Sequence, residues 1–106
     1  MNITEKTGIN QNYLSELTAI FHKYSSVKTV SLFGSRAKGN YKPNSDIDLA
    51  ILNNDVDRDE IFKIKSDLQD SNLPYSVELL AFHTISNKEL ADHILKFGIR
   101  IYDNGK

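Results

Sequence analysis

Residues 33–52 read Phe33-Gly-Ser-Arg-Ala-Lys-Gly-Asn-Tyr-Lys-Pro-Asn-Ser-Asp-Ile-Asp-Leu-Ala-Ile-Leu52, and this stretch decides the fold. An apolar run ends in a Gly-Ser turn, a loop with three basic residues follows, and Asp46 and Asp48 open a second apolar run. Because residues two apart in a strand share a face, the two aspartates must project together. Two like charges about 4 Å apart repel by roughly 4 kcal/mol at an effective dielectric constant of about 20, so the pair needs a compensating cation.

The Gly-Ser turn predicts a phosphate site close to this aspartate pair. Backbone N–H groups around a turn of small residues, together with nearby Lys and Arg side chains, are the groups that bind a phosphate chain. Glycine at position 34 lets the backbone approach a phosphate without a Cβ, and Ser35 offers a hydroxyl and an N–H. We therefore expect Gly34, Ser35, Arg36 and Lys38 to bind phosphates beside metal-binding aspartates. This arrangement is typical of metal-assisted chemistry on a nucleoside triphosphate.

Hydrophobic periodicity on either side of this stretch predicts a single small α/β domain spanning residues 1–106. Residues 1–9 are expected to be a loose leader. The predicted elements, in chain order, are a helix from Asn10 or Asn12 to Tyr24, a strand over 27–33, a short helical turn over 36–38, a strand over 46–52, a helix capped by Asp57 and Glu60, a strand over 75–82, a helix capped by Ser86 and Glu89 and stopped by Gly98, and a short strand over 99–102.

Composition excludes several classes of protein. A net charge of −1 provides no basic field to attract nucleic acid, so strong nucleic-acid binding is not expected. The chain has no cysteine, which rules out disulfides and zinc-thiolate sites. Neither a signal-peptide core nor an apolar run of membrane-spanning length is visible, so we expect a cytoplasmic protein with no membrane partner.

Two common nucleotide-binding motifs do not match. The interval from Gly34 to Gly39 has the Gly-x4-Gly spacing of a P-loop, but Asn40 and Tyr41 stand where Lys and Ser or Thr are required. No Gly-x-Gly-x-x-Gly motif of dinucleotide-binding proteins is present either. The pattern that remains is Gly-Ser-x10-Asp-x-Asp.

This pattern resembles the nucleotidyltransferase superfamily that shares the fold of DNA polymerase β. Within it, the chain resembles the minimal nucleotidyltransferases (MNT proteins) that pair with a HEPN-domain partner. The resemblance rests on Leu-Phe-Gly-Ser-Arg-Ala-Lys-Gly, Ser-Asp-Ile-Asp-Leu-Ala-Ile and Leu-Pro-Tyr-Ser-Val-Glu-Leu-Leu, and covers nearly the whole chain. It implies a mixed β-sheet packed with helices.

The resemblance also implies two Mg²⁺ ions, held by Asp46, Asp48 and a third carboxylate on a neighbouring strand. Glu78 stands at that third position, where the family usually has Asp. If the two strands are neighbours, a carboxylate between apolar residues needs a partner on the facing strand, which agrees with this role. The longer Glu side chain makes the metal geometry less well determined, since octahedral Mg²⁺ tolerates misplaced ligands poorly. His22, His83 and His93 are given no role.

The activity implied by the resemblance is Mg²⁺-dependent transfer of AMP from ATP to a hydroxyl group, with release of pyrophosphate. The implied acceptor is a tyrosine of a HEPN-domain toxin, encoded nearby and bound in a hetero-oligomer, so that the chain acts as an antitoxin. Two alternatives remain open: an antitoxin that neutralises its partner by binding alone, and a nucleotidyltransferase acting on a small molecule or RNA. The departure at Glu78 favours the first alternative.

Overall fold

Helices pack against both faces of a four-stranded sheet in the computed structural model, which describes residues 2–104. The strands are β1 (Thr29–Phe33), β2 (Ile47–Ile51), β3 (Val77–Ala81) and β4 (Ile99–Asp103). The helices are α1 (Ile3–Thr7), α2 (Gln11–His22), α3 (Ser35–Lys38), α4 (Arg58–Gln69) and α5 (Lys88–Phe97), and a 3-10 turn (Phe82–Thr84) follows β3. Within residues 2–104, no helix combines the length and apolar character needed to cross a membrane.

The sheet is mixed, with the strand order β3-β2-β1-β4. β1 runs antiparallel to both β2 and β4, whereas β2 and β3 are parallel and are joined through α4. This confirms the predicted α/β domain with a mixed sheet. This strand order also makes β3 an edge strand, so the side of β3 that faces away from β2 is accessible from outside the sheet.

Alternation along the strands separates two apolar clusters. The larger cluster lies under α2 and α4 and includes Leu17, Leu32, Leu49, Ile51, Ile64 and Leu68. A smaller cluster of Phe33, Ala50 and Ile94 lies on the opposite face, under α5. Because side chains alternate across a strand, Asp48 and Glu78 lie on the same face as Ala50 and the smaller cluster. The acidic residues therefore share a face with α5.

Two of the predicted helix starts are confirmed and one is wrong. Asn10 caps α2, and the Asp57 side chain accepts the Glu60 N–H at 2.8 Å to begin α4. The last helix is capped by Asn87, whose side chain accepts the Leu90 N–H at 3.1 Å, and not by Ser86. Ser and Asn are both good N-cap residues, so capping preference alone does not decide between Ser86 and Asn87. The position at which the preceding turn ends decides it. β3 is also shorter than the predicted strand over 75–82.

The prediction of a loose leader over residues 1–9 is wrong for the described residues 2–9. Asn2 caps α1 by accepting the Glu5 N–H, and Thr7 and Ile9 are completely buried. The carbonyl of Thr7 also accepts a hydrogen bond from the Arg36 guanidinium at 2.8 Å. These contacts are long-range, so local sequence pattern could not reveal them. Of the predicted 1–106 domain, residues 1, 105 and 106 lie outside the described residues.

Candidate active site

Pairing of β2 with β3 brings the predicted carboxylates together. Asp48 and Glu78 are register partners on the two parallel strands, and Asp46 immediately precedes β2. Asp48 is half-buried, whereas Asp46 and Glu78 are exposed. The sequence suggested that Glu78 would face the aspartates only if these strands were neighbours, and they are.

The electrostatics of this cluster centre on Asp48. Burial raises the pKa of the Asp48 carboxyl, and the negative charges of Glu78 and Asp46 raise this pKa further. Each of these effects penalises the ionised form. A cation bound among the three carboxylates would offset both the repulsion and the lost hydration.

The donor set fits a divalent cation that prefers oxygen ligands. Carboxylate oxygens are the hard ligands that Mg²⁺ takes from proteins, and usually only one or two carboxylates bind directly. Among residues 2–104, no three acidic, histidine or cysteine side chains are grouped closely enough to hold a metal ion as they stand. Binding would therefore require these flexible side chains to turn toward a shared ion.

The Gly34 turn lies directly against Asp48. Gly34 has φ 79° and ψ −156°, a backbone conformation that is essentially restricted to glycine. A Cβ built at this position would overlap Oδ2 of Asp48. Glycine is therefore required at position 34 both by the conformation and by the close approach of the Asp48 carboxylate.

Arg36 occupies a different environment from the predicted phosphate-binding one. Its side chain is 1% exposed. The guanidinium donates hydrogen bonds to the carbonyls of Thr7, Pro43 and Ser45 at 2.8, 3.2 and 3.1 Å. It also lies over the ring of Tyr75, 4.7 Å from the centroid. Arg36 thus holds the loop before β2 together, and it could contact a phosphate only by giving up these bonds.

The other two predicted phosphate-binding residues are accessible. Ser35 begins α3 and is half-buried, and Lys38 ends α3 and is exposed. The Lys38 ammonium lies 5.5 Å from the ring centroid of Phe97 in α5. Lys38 can therefore move toward a bound anion at little cost, unlike the buried Arg36.

Sequence reasoning missed His93. Its Nε2 accepts a hydrogen bond from the Gly34 N–H at 3.0 Å, across 59 residues of sequence. One signal was available, because His93 lies on the same helical stripe as Leu90 and Phe97, at i−3 and i+4. A polar residue on an inward-facing stripe usually has a specific partner.

A cleft of about 510 Å³ adjoins the carboxylates on the open side of β3. Its lining includes Asp46 and Glu78, together with Tyr75 before β3 and Lys65 and Gln69 from α4. The cleft therefore leads from the edge of the sheet to two of the three carboxylates.

The sequence and the fold of the chain are similar to those of known proteins. The sequence profile of the family "Polymerase beta, Nucleotidyltransferase" matches residues 15–106. A protein of Haemophilus influenzae, named probable protein adenylyltransferase MntA, is 42% identical over 62 residues, which are 55% of this chain and 52% of that protein. The chain thus spans about half the length of this curated relative.

Two solved structures have the same fold. One is a toxin–antitoxin structure with AMP-PNP, which has a TM-score of 0.67 and 24% identity and covers 92% of this chain and 76% of its own. The other, a tri-AMPylated HEPN toxin of Shewanella oneidensis in complex with its MNT antitoxin, has a TM-score of 0.67 and 20% identity over 90% of this chain and 73% of its own. Since the family profile spans most of the sequence, the chain belongs to the polymerase β nucleotidyltransferase family.

Proposed function

We propose that this protein transfers AMP from ATP to a hydroxyl group of a HEPN-domain toxin, most simply a tyrosine hydroxyl, and thereby acts as an antitoxin. The observation that carries the proposal is the facing of Asp48 and Glu78 on adjacent parallel strands, with the Gly34 turn packed against Asp48. Family membership and the similarity to the Haemophilus adenylyltransferase support the same reaction.

The residues of the site divide into two groups. Asp46, Asp48 and Glu78 would hold Mg²⁺, which when bound supplies positive charge to the triphosphate during displacement at the α-phosphorus. Ser35 and Lys38 would contact the outgoing phosphates, with Gly34 allowing the close approach. Arg36 would act indirectly, by shaping the loop that carries Lys38.

The reaction is a balanced displacement. The acceptor hydroxyl releases its proton to solvent, and its oxygen bonds to the α-phosphorus of ATP. The bond from that phosphorus to the oxygen bridging the β-phosphate breaks, and its electron pair leaves with the pyrophosphate. The products are a phosphodiester-linked AMP on the acceptor and pyrophosphate. Positioning and electrostatic stabilisation supply most of the rate enhancement in phosphoryl transfer. The acidic cluster would contribute by holding Mg²⁺, and the adjacent turn would contribute by positioning the phosphates.

The open cleft beside β3 supports a protein as the acceptor. It reaches Asp46 and Glu78 from the edge of the sheet, where a side chain presented by another chain can enter. A specific protein partner would bury on the order of 1,000 Å² or more in total, so it would extend well beyond the cleft itself. The Shewanella oneidensis structure, in which an MNT antitoxin is bound to a HEPN toxin, supports a HEPN protein as that partner.

Intact mass spectrometry of a reconstituted pair tests the proposal. The protein is incubated with ATP, Mg²⁺ and the HEPN-type protein encoded next to it. Each transferred AMP should add about 329 Da to that neighbour. The Asp46→Asn, Asp48→Asn double variant serves as the control and should add nothing, because it lacks two of the three carboxylates.

The outcomes separate the three candidate functions. A neighbour that gains mass with the wild type but not with the double variant supports AMP transfer at this site. An unmodified neighbour that is nevertheless inhibited would support neutralisation by binding alone. A neighbour that is neither bound nor modified would exclude the antitoxin role and leave small molecules or RNA as acceptors.

A further inference from the structure

A hydrogen bond joins helix α5 to the Gly34 turn of the candidate site. The Gly34 N–H donates to Nε2 of His93 at 3.0 Å. Because Nε2 accepts this bond, the imidazole is neutral and carries its proton on Nδ1. The bond joins the end of β1 to α5 at the residue whose backbone lies against Asp48.

The surroundings of His93 restrict the ring to this position. The Phe33 ring meets the imidazole edge-on, with centroids 6.3 Å apart and an interplanar angle of 78°. The Phe97 ring flanks it at 5.4 Å. Ile94, the next residue of α5, is 2% exposed and packs with Phe33 and Ala50. Nε2 of His93 is therefore held in place by a helix that packs against the sheet.

Gly34 needs such a restraint. A glycine at φ 79° has a wide range of alternative conformations, since no Cβ limits them. Its carbonyl already accepts the Lys38 N–H at 3.1 Å, and the His93 bond restrains the other side of the residue. With both groups bonded, the turn keeps one orientation relative to Asp48.

We infer that His93 is a positioning residue for nucleotide binding, which holds the Gly34–Ser35 turn in its binding conformation beside Asp48. The inference rests on the proposed function, because it assigns the turn to the phosphates of ATP. It also has a consequence for that site: the Gly34 N–H is committed to His93, so the phosphate contacts of the turn come from Ser35 onward. Gly34 contributes through its backbone conformation and by letting a phosphate approach the turn without meeting a Cβ.

NMR spectroscopy tests the bond itself without any ligand. In protein labelled with ¹⁵N, a scalar coupling across the hydrogen bond should connect the Gly34 amide nitrogen to His93 Nε2. The long-range imidazole spectrum should show the Nδ1-protonated tautomer. Absence of the coupling together with the opposite tautomer would overturn the inference, whatever the protein's activity.

Two substitutions at His93 test the effect on nucleotide binding. Gln can offer a side-chain oxygen near the position of Nε2, whereas Leu removes the acceptor and keeps an apolar side chain. Since a neutral hydrogen bond contributes about 0.5–1.5 kcal/mol, His93→Leu should raise the Kd for ATP with Mg²⁺ by about three- to tenfold. His93→Gln should stay within about twofold of the wild type. Isothermal titration calorimetry measures all three proteins.

Equivalent changes at His83 provide the matched control. His83 is exposed and lies in the 3-10 turn that follows β3, beyond the end of the strand that carries Glu78. Both His83→Gln and His83→Leu should leave the Kd for ATP unchanged. Circular dichroism at the assay temperature verifies that each variant is folded.

The results distinguish failure of this inference from failure of the proposed function. If the wild type does not bind ATP, the proposed function and the role of His93 both fall. If the wild type binds ATP and His93→Leu binds it equally well, only the role of His93 is overturned. Weaker ATP binding by folded His93→Leu, with near-normal binding by His93→Gln, supports a positioning role. A general destabilisation of the fold would instead lower the thermal stability of both variants.

Discussion

At the scale of single residues, Asp48 carries most of the electrostatic strain of the site. Its carboxyl is partly withdrawn from water, faces Glu78 across the strand pair and lies against the Gly34 backbone. The folded protein therefore holds a proton on Asp48 more tightly than the unfolded chain does. Such a group lowers stability once it is ionised, and it is retained where it serves a function.

We expect Asp48→Asn to be more stable than the wild type at pH 7 without metal. The pKa of Asp48 is raised on folding, so the wild type loses stability as pH rises from the ordinary value of 3.8 through the higher folded pKa. The advantage of the variant should therefore vanish below pH 3.8. Thermal unfolding from pH 3 to pH 7 measures this. Asp92→Asn, an exposed change on α5, should stay within about 0.5 kcal/mol of the wild type, and a variant less stable than the wild type at pH 7 would contradict the account.

Glu78 should matter more for chemistry than for folding. Glu78→Gln should lower the rate of AMP transfer by at least about tenfold. Even mutation of groups that only hydrogen-bond to a metal ligand typically lowers metal affinity or activity by about 10–100-fold. Because Glu78 is exposed, the same change should alter the unfolding free energy by no more than about 0.5 kcal/mol. Glu78→Asp should equal or exceed the wild type. Equal transfer rates for the wild type and Glu78→Ala, measured by intact mass, would remove Glu78 from the site.

At the scale of elements, the ends of α2 and α4 are joined by one polar cluster. The Tyr24 hydroxyl, just beyond α2, donates to Oδ2 of Asp67 in α4 at 2.6 Å, and the Lys23 ammonium lies 3.0 Å from the same oxygen. The hydrogen bond from Tyr24 holds the pKa of Asp67 below its usual value, and Lys23 adds to this. The same bond raises the pKa of Tyr24 to about 12. The cluster helps α4 to lie over the larger core.

Tyr24→Phe should lower the free energy of unfolding by about 1 kcal/mol at neutral pH, because it removes a hydrogen bond to a charged but partly solvated group. The raised pKa stabilises the folded wild type fully below pH 10, and this contribution is lost as pH rises to about 12. Tyr24→Phe should lack that alkaline loss. Urea unfolding at pH 7 and pH 11 tests both statements, and a double-mutant cycle with Asp67→Asn isolates the pair. A coupling energy of zero in this cycle would show that the hydrogen bond from Tyr24 to Asp67 contributes nothing to stability.

At the scale of the whole molecule, the N-terminal segment completes the core. Ile9 is fully buried among residues of the larger cluster, and Thr7 is bonded to Arg36 next to the site. Arg36 in turn binds the carbonyls of Pro43 and Ser45, just before Asp46. One buried guanidinium therefore connects the first residues of the chain to the loop that leads into the carboxylates.

Ile9→Ala should destabilise the protein by about 2–4 kcal/mol, the usual cost of truncating a fully buried aliphatic side chain. Chemical unfolding followed by circular dichroism measures it. Leu95→Ala is the control, because Leu95 is 67% exposed and its loss should change the stability by less than about 0.5 kcal/mol. If Ile9→Ala lowered the unfolding free energy no more than Leu95→Ala does, residues 2–9 would be a loose leader after all.

The sequence by itself determined the local features of this protein. Period-2 and period-3.6 patterns predicted most helices and strands. The Gly34-Ser35 turn and the Asp46-x-Asp48 spacing identified the family, because these features depend on residues close together in the chain. Only the tertiary structure decided that Asp48 faces Glu78, since strand order and direction depend on the path of α4 and not on spacing. The sequence likewise did not show which groups Arg36 and His93 would bind, because these hydrogen bonds join segments far apart in sequence whose meeting depends on how the whole chain packs.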